Sequence, residues 1–256
     1  MKRKNTLSLS FDTLRLEGGL LLPDILERAA QGKLNSQQAT DYQIPKGLKL
    51  QDEYSRSFQI ARAQWKAFSA QLERKDLDAQ AVTQQFVLEL LRDALGYREL
   101  EVQAEGITLE ERHYPIPLLA FGRVPVVIAP HTLGLDEAAE CFAIVGGGSR
   151  KKSAFQLTQE FLNASAGCLW GMVSNGRQLR LLRDAATLTR PSFLEFELAT
   201  ILEDERYPDF AALWRLLHGS VAGKTGAVSE DCHWEHWRNE GLQEGTRVRE
   251  GLRKGV

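Results

Sequence analysis

Three cations in a row, Arg150, Lys151 and Lys152, stand between Ser149 and Ser153, directly ahead of a run with helical spacing. Positive side chains beside the free backbone N–H groups of a helix start form a combination that holds phosphate. The segment is therefore a candidate contact for a nucleic-acid backbone. Its ordinary alternative is a solubilising loop, because adjacent cations are common on surfaces. Gln156 and Gln159 follow on the helix face directed to the same place. A second set of cations, Arg177, Arg180, Arg183 and Arg190, lies further on. Arg177 and Arg183 are an even number of residues apart and share one strand face, with Arg180 on the other. Arg177 is thus a further candidate contact, and pairing of these arginines with Asp184, Glu195 or Glu197 is the competing use.

Other chemistry has less support. Cys232, His233 and His236 have metal-compatible types at close spacing and His218 would be a fourth ligand, but the usual second pair is missing and Trp234 and Trp237 nearby suggest packing. No metal or other cofactor is expected. Ser149, Ser153 and Ser165 lack a nucleophile elbow, and the histidines show no arrangement suited to acyl transfer, so no catalytic residue is assigned. Trp65, Trp170, Trp214, Trp234 and Trp237 read first as core or interface residues, with an exposed contact stripe as the alternative for Trp234 and Trp237.

The elements that would position these groups follow from periodicity. Phe155, Thr158, Gln159 and Leu162 fall three or four apart and predict a helix over Lys152 to Ala164. After it, LWGMV and LRLL flank Asn175-Gly176, the signature of a two-residue hairpin with positive φ at its turn. Tyr54, Phe58, Ala61, Trp65 and Phe68 predict a helix over Gln51 to Leu72, and Phe86, Leu90 and Leu91 a second over Leu77 to Leu95, stopped by Gly96. Between that helix and the one at Lys152 lie four β-type runs, ELEVQA, PIPLLAF, VPVVIAP and ECFAIVG. The first 47 residues read as an arm with a short helix opened by Pro23. Phe210, Leu213, Trp214 and Leu217 predict a helix over Asp209 to His218, GSVAGKTGAVSED a flexible loop, and Glu230 to Lys254 a polar, connector-like helix.

Composition sets the frame. A hydrophobic content of 43% with 26% charged residues is that of a folded protein, and 256 residues allow one or two domains. The net charge of -2 gives no global attraction to nucleic acid, so any contact must come from a local patch. Cys141, Cys168 and Cys232 are too few and scattered for a disulfide framework, which fits a reducing cytoplasm. No apolar run long enough for a secretory signal or a membrane span is present, so no membrane partner is expected.

Beyond these readings, the segments EGGLLLPDIL, LGY, LTQEFLNAS, LWGMVSNGRQLRLLRD, LTRPSFLEFELATILE and DFAALWRLLHGS, spread over Leu16 to Val256, together resemble the N-terminal region of bacterial restriction-modification proteins. In those proteins the region precedes an adenine-specific DNA methylase, as in type IIG enzymes and methylases of phage-defence systems such as DISARM. The resemblance implies a defence-related role with DNA as partner. The methylase tetrapeptide Asn-Pro-Pro-Tyr is absent and Gly146 to Lys152 does not form GxGxxG, which implies a fragment of a longer protein or one half of a split one, with the methylase domain or subunit as a further partner.

The resemblance also implies a PD-(D/E)XK nuclease-like core. Such nucleases hold divalent metal with an Asp on one strand and a Glu-x-Lys on the next. Here VPVVIAP offers Pro125 and Val126 for the Asp, and ECFAIVGGG offers Ile144, Val145 and Gly146 for the second half. Apolar side chains cannot coordinate a hard cation. Displaced acids, Asp136, Glu137 and Glu140 with Glu89, are the alternative, set against their being a solvated turn.

The expectation is therefore an α/β fold, a mixed sheet flanked by helices. A nuclease-like core occupies residues 76–200, preceded by an arm and long helix (1–75) and followed by a helical extension (201–256). The expected function is a non-catalytic, DNA-engaging module of a defence-type adenine methylase system, contacting DNA through Arg150, Lys151, Lys152, Ser153, Gln156 and Arg177. The alternatives are a metal-dependent endonuclease with displaced acids, or an interaction subunit docking onto a separate methylase.

Overall fold

The computed structural model describes residues 12–148, 150–184, 191–224 and 226–254, with side chains described up to residue 247. Its first element is strand β1 (Leu14–Glu17), followed by helices α1 (Pro23–Ala30), α2 (Leu50–Ser69) and α3 (Ala79–Glu89). The last runs into a π-helical turn, Leu90–Ala94. Strands β2 (Leu100–Val102), β3 (Ile107–Leu109), β4 (Arg112–Tyr114), β5 (Leu118–Ala120) and β6 (Val124–Ile128) come next. Helix α4 (Ala154–Ala164) leads to β7 (Trp170–Ser174), β8 (Gln178–Arg183) and β9 (Phe193–Glu197). The chain then forms α5 (Leu198–Glu203), α6 (Tyr207–Leu217), α7 (Gly219–Ala222) and α8 (His233–Lys254).

Seven strands build one mixed sheet in the order β1-β9-β8-β7-β6-β5-β2, and β3 and β4 form a separate hairpin. Neighbours are antiparallel except β6 and β7, which run parallel with Ile128 opposite Ser174. A parallel pair needs a crossover, and α4 supplies it. Every residue of β6 and β7 is buried, because helices cover both faces. Alternation then sorts side chains by layer. Val126, Ile128, Met172, Leu179 and Leu181 join the large core shared with α2, α3, α6 and the first turns of α8. Val127, Val173, Leu182 and Phe193 join a second core with Phe155, Leu157 and Phe161 of α4. The large core draws on the N-terminal stretch (Leu20, Ile25), the middle and the C-terminal stretch (Trp214, Trp234) alike.

Several elements differ from the sequence-based expectation. ECFAIVG is not a strand: Glu140–Phe142 is a single 3-10 turn, and only Val145 pairs, in a bridge to His113. Phe142 and Ile144, two apart, look like a strand face but are buried against the α4 layer. Strands β1 and β9 lie where none was expected. The glycine-rich stretch after α6 is partly ordered, with the α7 turn and a 3-10 turn at Ser229–Asp231. Trp234 and Trp237 are buried rather than forming a stripe, so α8 begins as part of the core and not as a free connector. No described helix is long and apolar enough to cross a membrane.

Candidate nucleic-acid interface

In open α/β sheets the carboxyl ends of parallel strands are where ligands collect. Here that end gathers pieces of four elements. Gln80, near the start of α3, donates to the Ile128 carbonyl at 3.0 Å. Thr83 sits 3.2 Å from His131 Nδ1 and accepts from the His131 N–H at 2.9 Å. Asn175, after β7, donates from Nδ2 to Leu133 O at 3.0 Å. Because α4 runs back against the parallel pair, its N-terminus and the Arg150–Ser153 segment that precedes it open at this same end. The turn carrying Arg177 is there too.

The turn is a two-residue hairpin, set one residue later than Asn175-Gly176: the Asn175 N–H donates to Gln178 O at 3.3 Å, so Gly176 and Arg177 form the loop. Ser174 pairs with Leu179 in the ladder just before it. Asn175 Oδ1 accepts from the N–H groups of Arg177 and Gln178, at 3.1 and 2.9 Å, so its side chain makes the bend. Only Gly176 takes a positive φ, of 78°. A Cβ there would lie 2.7 Å from Phe68, so the glycine both turns the chain and lets α2 approach. Arg177 is exposed at the tip.

The start of α4 corrects two of the expected contacts, Lys152 and Ser153. Ser153 Oγ accepts from the Gln156 N–H at 3.1 Å while Gln156 Oε1 accepts from the Ser153 N–H at 3.0 Å, a reciprocal capping box. The Phe155 N–H donates to Leu135 O at 3.1 Å, and Ala154 is fully buried. The helix start thus spends its donors internally and offers none to a phosphate. Lys152 is 8% exposed and its Nζ lies 2.5 Å from Glu160 Oε1 on the next turns of α4. Lys152 and Ser153 are therefore structural, whereas Gln156, which caps through Oε1, stays exposed. Arg150 and Lys151 remain exposed, and Ser149 lies outside the described residues. Gln159 is buried and donates to Arg183 O at 3.3 Å.

Arg180 and Arg183 are committed as well. Arg180, 3% exposed, donates from Nε to Glu195 at 2.7 Å and holds both oxygens of Asp136 at 2.8 and 3.0 Å. Its guanidinium lies 3.9 Å from the Phe193 ring centroid. Burial opposes its charge, yet the hydrogen bond to Asp136 and the charge of Glu195 raise its pKa above the ordinary value. On the other face Arg183 grips Glu235 of α8 at 2.8 and 3.0 Å, and Trp170 Nε1 donates to the same carboxylate at 3.2 Å. Pairing, the competing use of these residues, prevails for Arg180. Arg190 lies outside the described residues.

Three of the four candidate acids are occupied, Asp136 and Glu137 at this end and Glu89 at the far end of α3. Asp136 belongs to Arg180, Glu137 accepts from the Gly134 N–H at 3.2 Å, and Glu89 accepts from Gln85. Among the described residues no three His, Cys, Asp or Glu converge as a metal site would need, at Cys232–His236 or elsewhere. Burial also pushes the Cys232 thiol up to about 11, away from the thiolate a metal takes. Since ECFAIVG leaves the sheet, the second and third strands of the run after α3 that enter it are β5 and β6, and neither carries an acid.

No family model, curated protein or solved structure matches this chain. Sequence reasoning overlooked Gln80, Thr83 and His131. None makes a motif, and only the pairing of α3 with the end of β6 brings them together.

Proposed function

We propose that this chain is a non-catalytic, DNA-engaging module with a PD-(D/E)XK nuclease-like core, working in a restriction-modification or phage-defence adenine methylase system. The nuclease-like part is supported by the order helix, three sheet strands, helix, strand (α3, β2, β5, β6, α4, β7), with the last two strands parallel. Loss of hydrolysis follows from aliphatic side chains along β5 and β6 and from the capture of Asp136 by Arg180. The observation that carries the DNA assignment is the convergence of exposed Arg150, Lys151 and Arg177 at one sheet end, where Gln80 and the buried Thr83 tie α3 to the end of β6 and to His131.

An electrophoretic mobility assay over a salt series tests it. The variant Arg150→Ala/Lys151→Ala/Arg177→Ala should bind duplex DNA more weakly and lower the salt slope by about 2–3. Lys152→Ala, which removes an internal ion pair, should leave that slope unchanged. Equal salt-sensitive affinity of wild type and triple variant sinks the assignment, and magnesium-dependent cleavage lost in Asp136→Ala or Glu89→Ala replaces it with a nuclease.

A further inference from the structure

Strand β1 closes one side of the sheet, and no described strand pairs with its outer edge. Its register with β9 decides which backbone groups are spare. The Glu197 N–H donates to Thr13 O at 2.9 Å, so the bonded positions of this ladder are Thr13, Arg15 and Glu17, opposite Glu197, Glu195 and Phe193. Antiparallel bonding alternates, so the N–H and C=O groups of Leu14 and Leu16 point outward, away from β9. An edge of unpaired donors and acceptors is a template for another strand.

The side chains along this edge select the strand that fits it. Arg15 and Glu17 share the face that carries Glu195 and Phe193, while Leu14 and Leu16 lie half-buried against the large core. Within one chain the Arg15 guanidinium holds Glu17 at 2.7 Å, with the two side chains 59% and 45% exposed. An antiparallel second copy, set with Leu16 opposite Leu16, uses the outward groups of that residue in two reciprocal hydrogen bonds. It also places Arg15 across from Glu17 twice, at the closer, non-bonded spacing where side chains interact most. Sliding the copy one step along the ladder, to Leu14 opposite Leu16, would instead set Arg15 against itself. The edge is thus complementary in charge to its own copy in one register.

We infer that β1 is a self-association edge, joining two copies of this chain through an antiparallel β1–β1 pair about a two-fold axis at Leu16 and fusing their sheets. The pair is short, because Gly18 turns at φ 65° against Pro191, so the complex belongs to the weak, concentration-dependent class. The two-fold axis directs the DNA-facing ends of the copies in opposite directions, and the inference does not rest on the DNA assignment.

Sedimentation equilibrium from about 10 to 500 µM chain at low salt, where charge pairs are least screened, tests it. The wild type should pass from monomer to dimer over that range. Glu17→Arg, which sets arginine against arginine, and Arg15→Glu, which sets glutamate against glutamate, should each raise the dissociation constant by about tenfold or more. An equimolar mixture of the two should dimerise again, since every cross-strand pair is then of opposite sign. Thermal melting verifies that both chains are folded, and Arg15→Gln replaces Arg15→Glu if the new carboxylate near Glu195 unfolds that variant. A wild type monomeric throughout, a Glu17→Arg variant that dimerises as the wild type does, or a mixture no tighter than either variant alone overturns the inference. The Arg150/Lys151/Arg177 variant should associate as before, so a failure of the DNA assignment leaves this result untouched.

Discussion

Replacing Arg180 by Met isolates the most concentrated electrostatic feature of the fold. The change keeps most of the side-chain stem but strands Glu195, which is 1% exposed and has as its other cation, among the described residues, only Arg15, 3.9 Å away on a side chain 59% exposed. Breaking a buried pair from one side costs about 3–5 kcal/mol, because the remaining charge keeps its desolvation penalty. Loss of the cation–π contact with Phe193 adds about 1 kcal/mol, and release of the exposed Asp136 adds less than about 1 kcal/mol. The double variant Arg180→Met/Glu195→Leu removes the stranded charge and should return to within about 2 kcal/mol of wild type. Urea unfolding monitored by tryptophan fluorescence reads both, and for a chain of this size the single variant should also melt about 10 °C or more below wild type. A single-variant cost under about 1 kcal/mol, or a double variant no more stable than the single, would refute this account of the pair.

Three other outcomes are expected. Glu235→Gln weakens the hold of Arg183 and Trp170 on α8, which should cost about 2–3 kcal/mol and speed amide exchange in α8 before the sheet; uniform exchange would argue against a local clamp. His218 has a folded value of about 4 against an ordinary 6.5, so the unfolded chain binds the extra proton between those values. Its contribution is complete above pH 6.5 and fades as the pH falls towards 4, by up to about 3 kcal/mol, and His218→Gln should flatten that part of the urea-midpoint profile. Gly176→Val puts a branched residue at φ 78° against Phe68, at a cost of about 2 kcal/mol or more by thermal melting; an unshifted melting temperature would mean that the turn relaxes freely.

Periodic stretches were legible because one driving force dominates them. The spacing of Tyr54, Phe58, Ala61, Trp65 and Phe68 gives α2 within three residues, and the apolar runs around Asn175-Gly176 give β7 and β8. Strand β9 was harder to see, since Glu195 interrupts its apolar pattern and is tolerated only because Arg180 waits on the neighbouring strand. ECFAIVG misled for the opposite reason: two apolar residues at strand spacing can be buried from a turn as well as from a ladder. At the candidate interface, Arg150, Lys151 and Arg177 are where their polarity suggests, but the fate of Lys152 was set by Glu160, two helical turns on. Long-range partners such as Asp136 for Arg180, or Glu235 for Arg183, lie 44 and 52 positions away and carry no local signature.

The π-helical turn after α3 makes the length of this segment non-negotiable. A five-residue ring closes where the regular helix uses four, so one residue is surplus to helical geometry and its removal would let the rod continue without interruption. Yet each residue gained or lost swings everything downstream by about 100°. Tyr97, completely enclosed with its hydroxyl 3.7 Å from Met172 Sδ, would be turned away from the sheet, and Gly96 would no longer lie under His218. Deletions in surface loops should be shrugged off by this molecule; a one-residue deletion between Leu90 and Ala94, although it perfects the helix, should not.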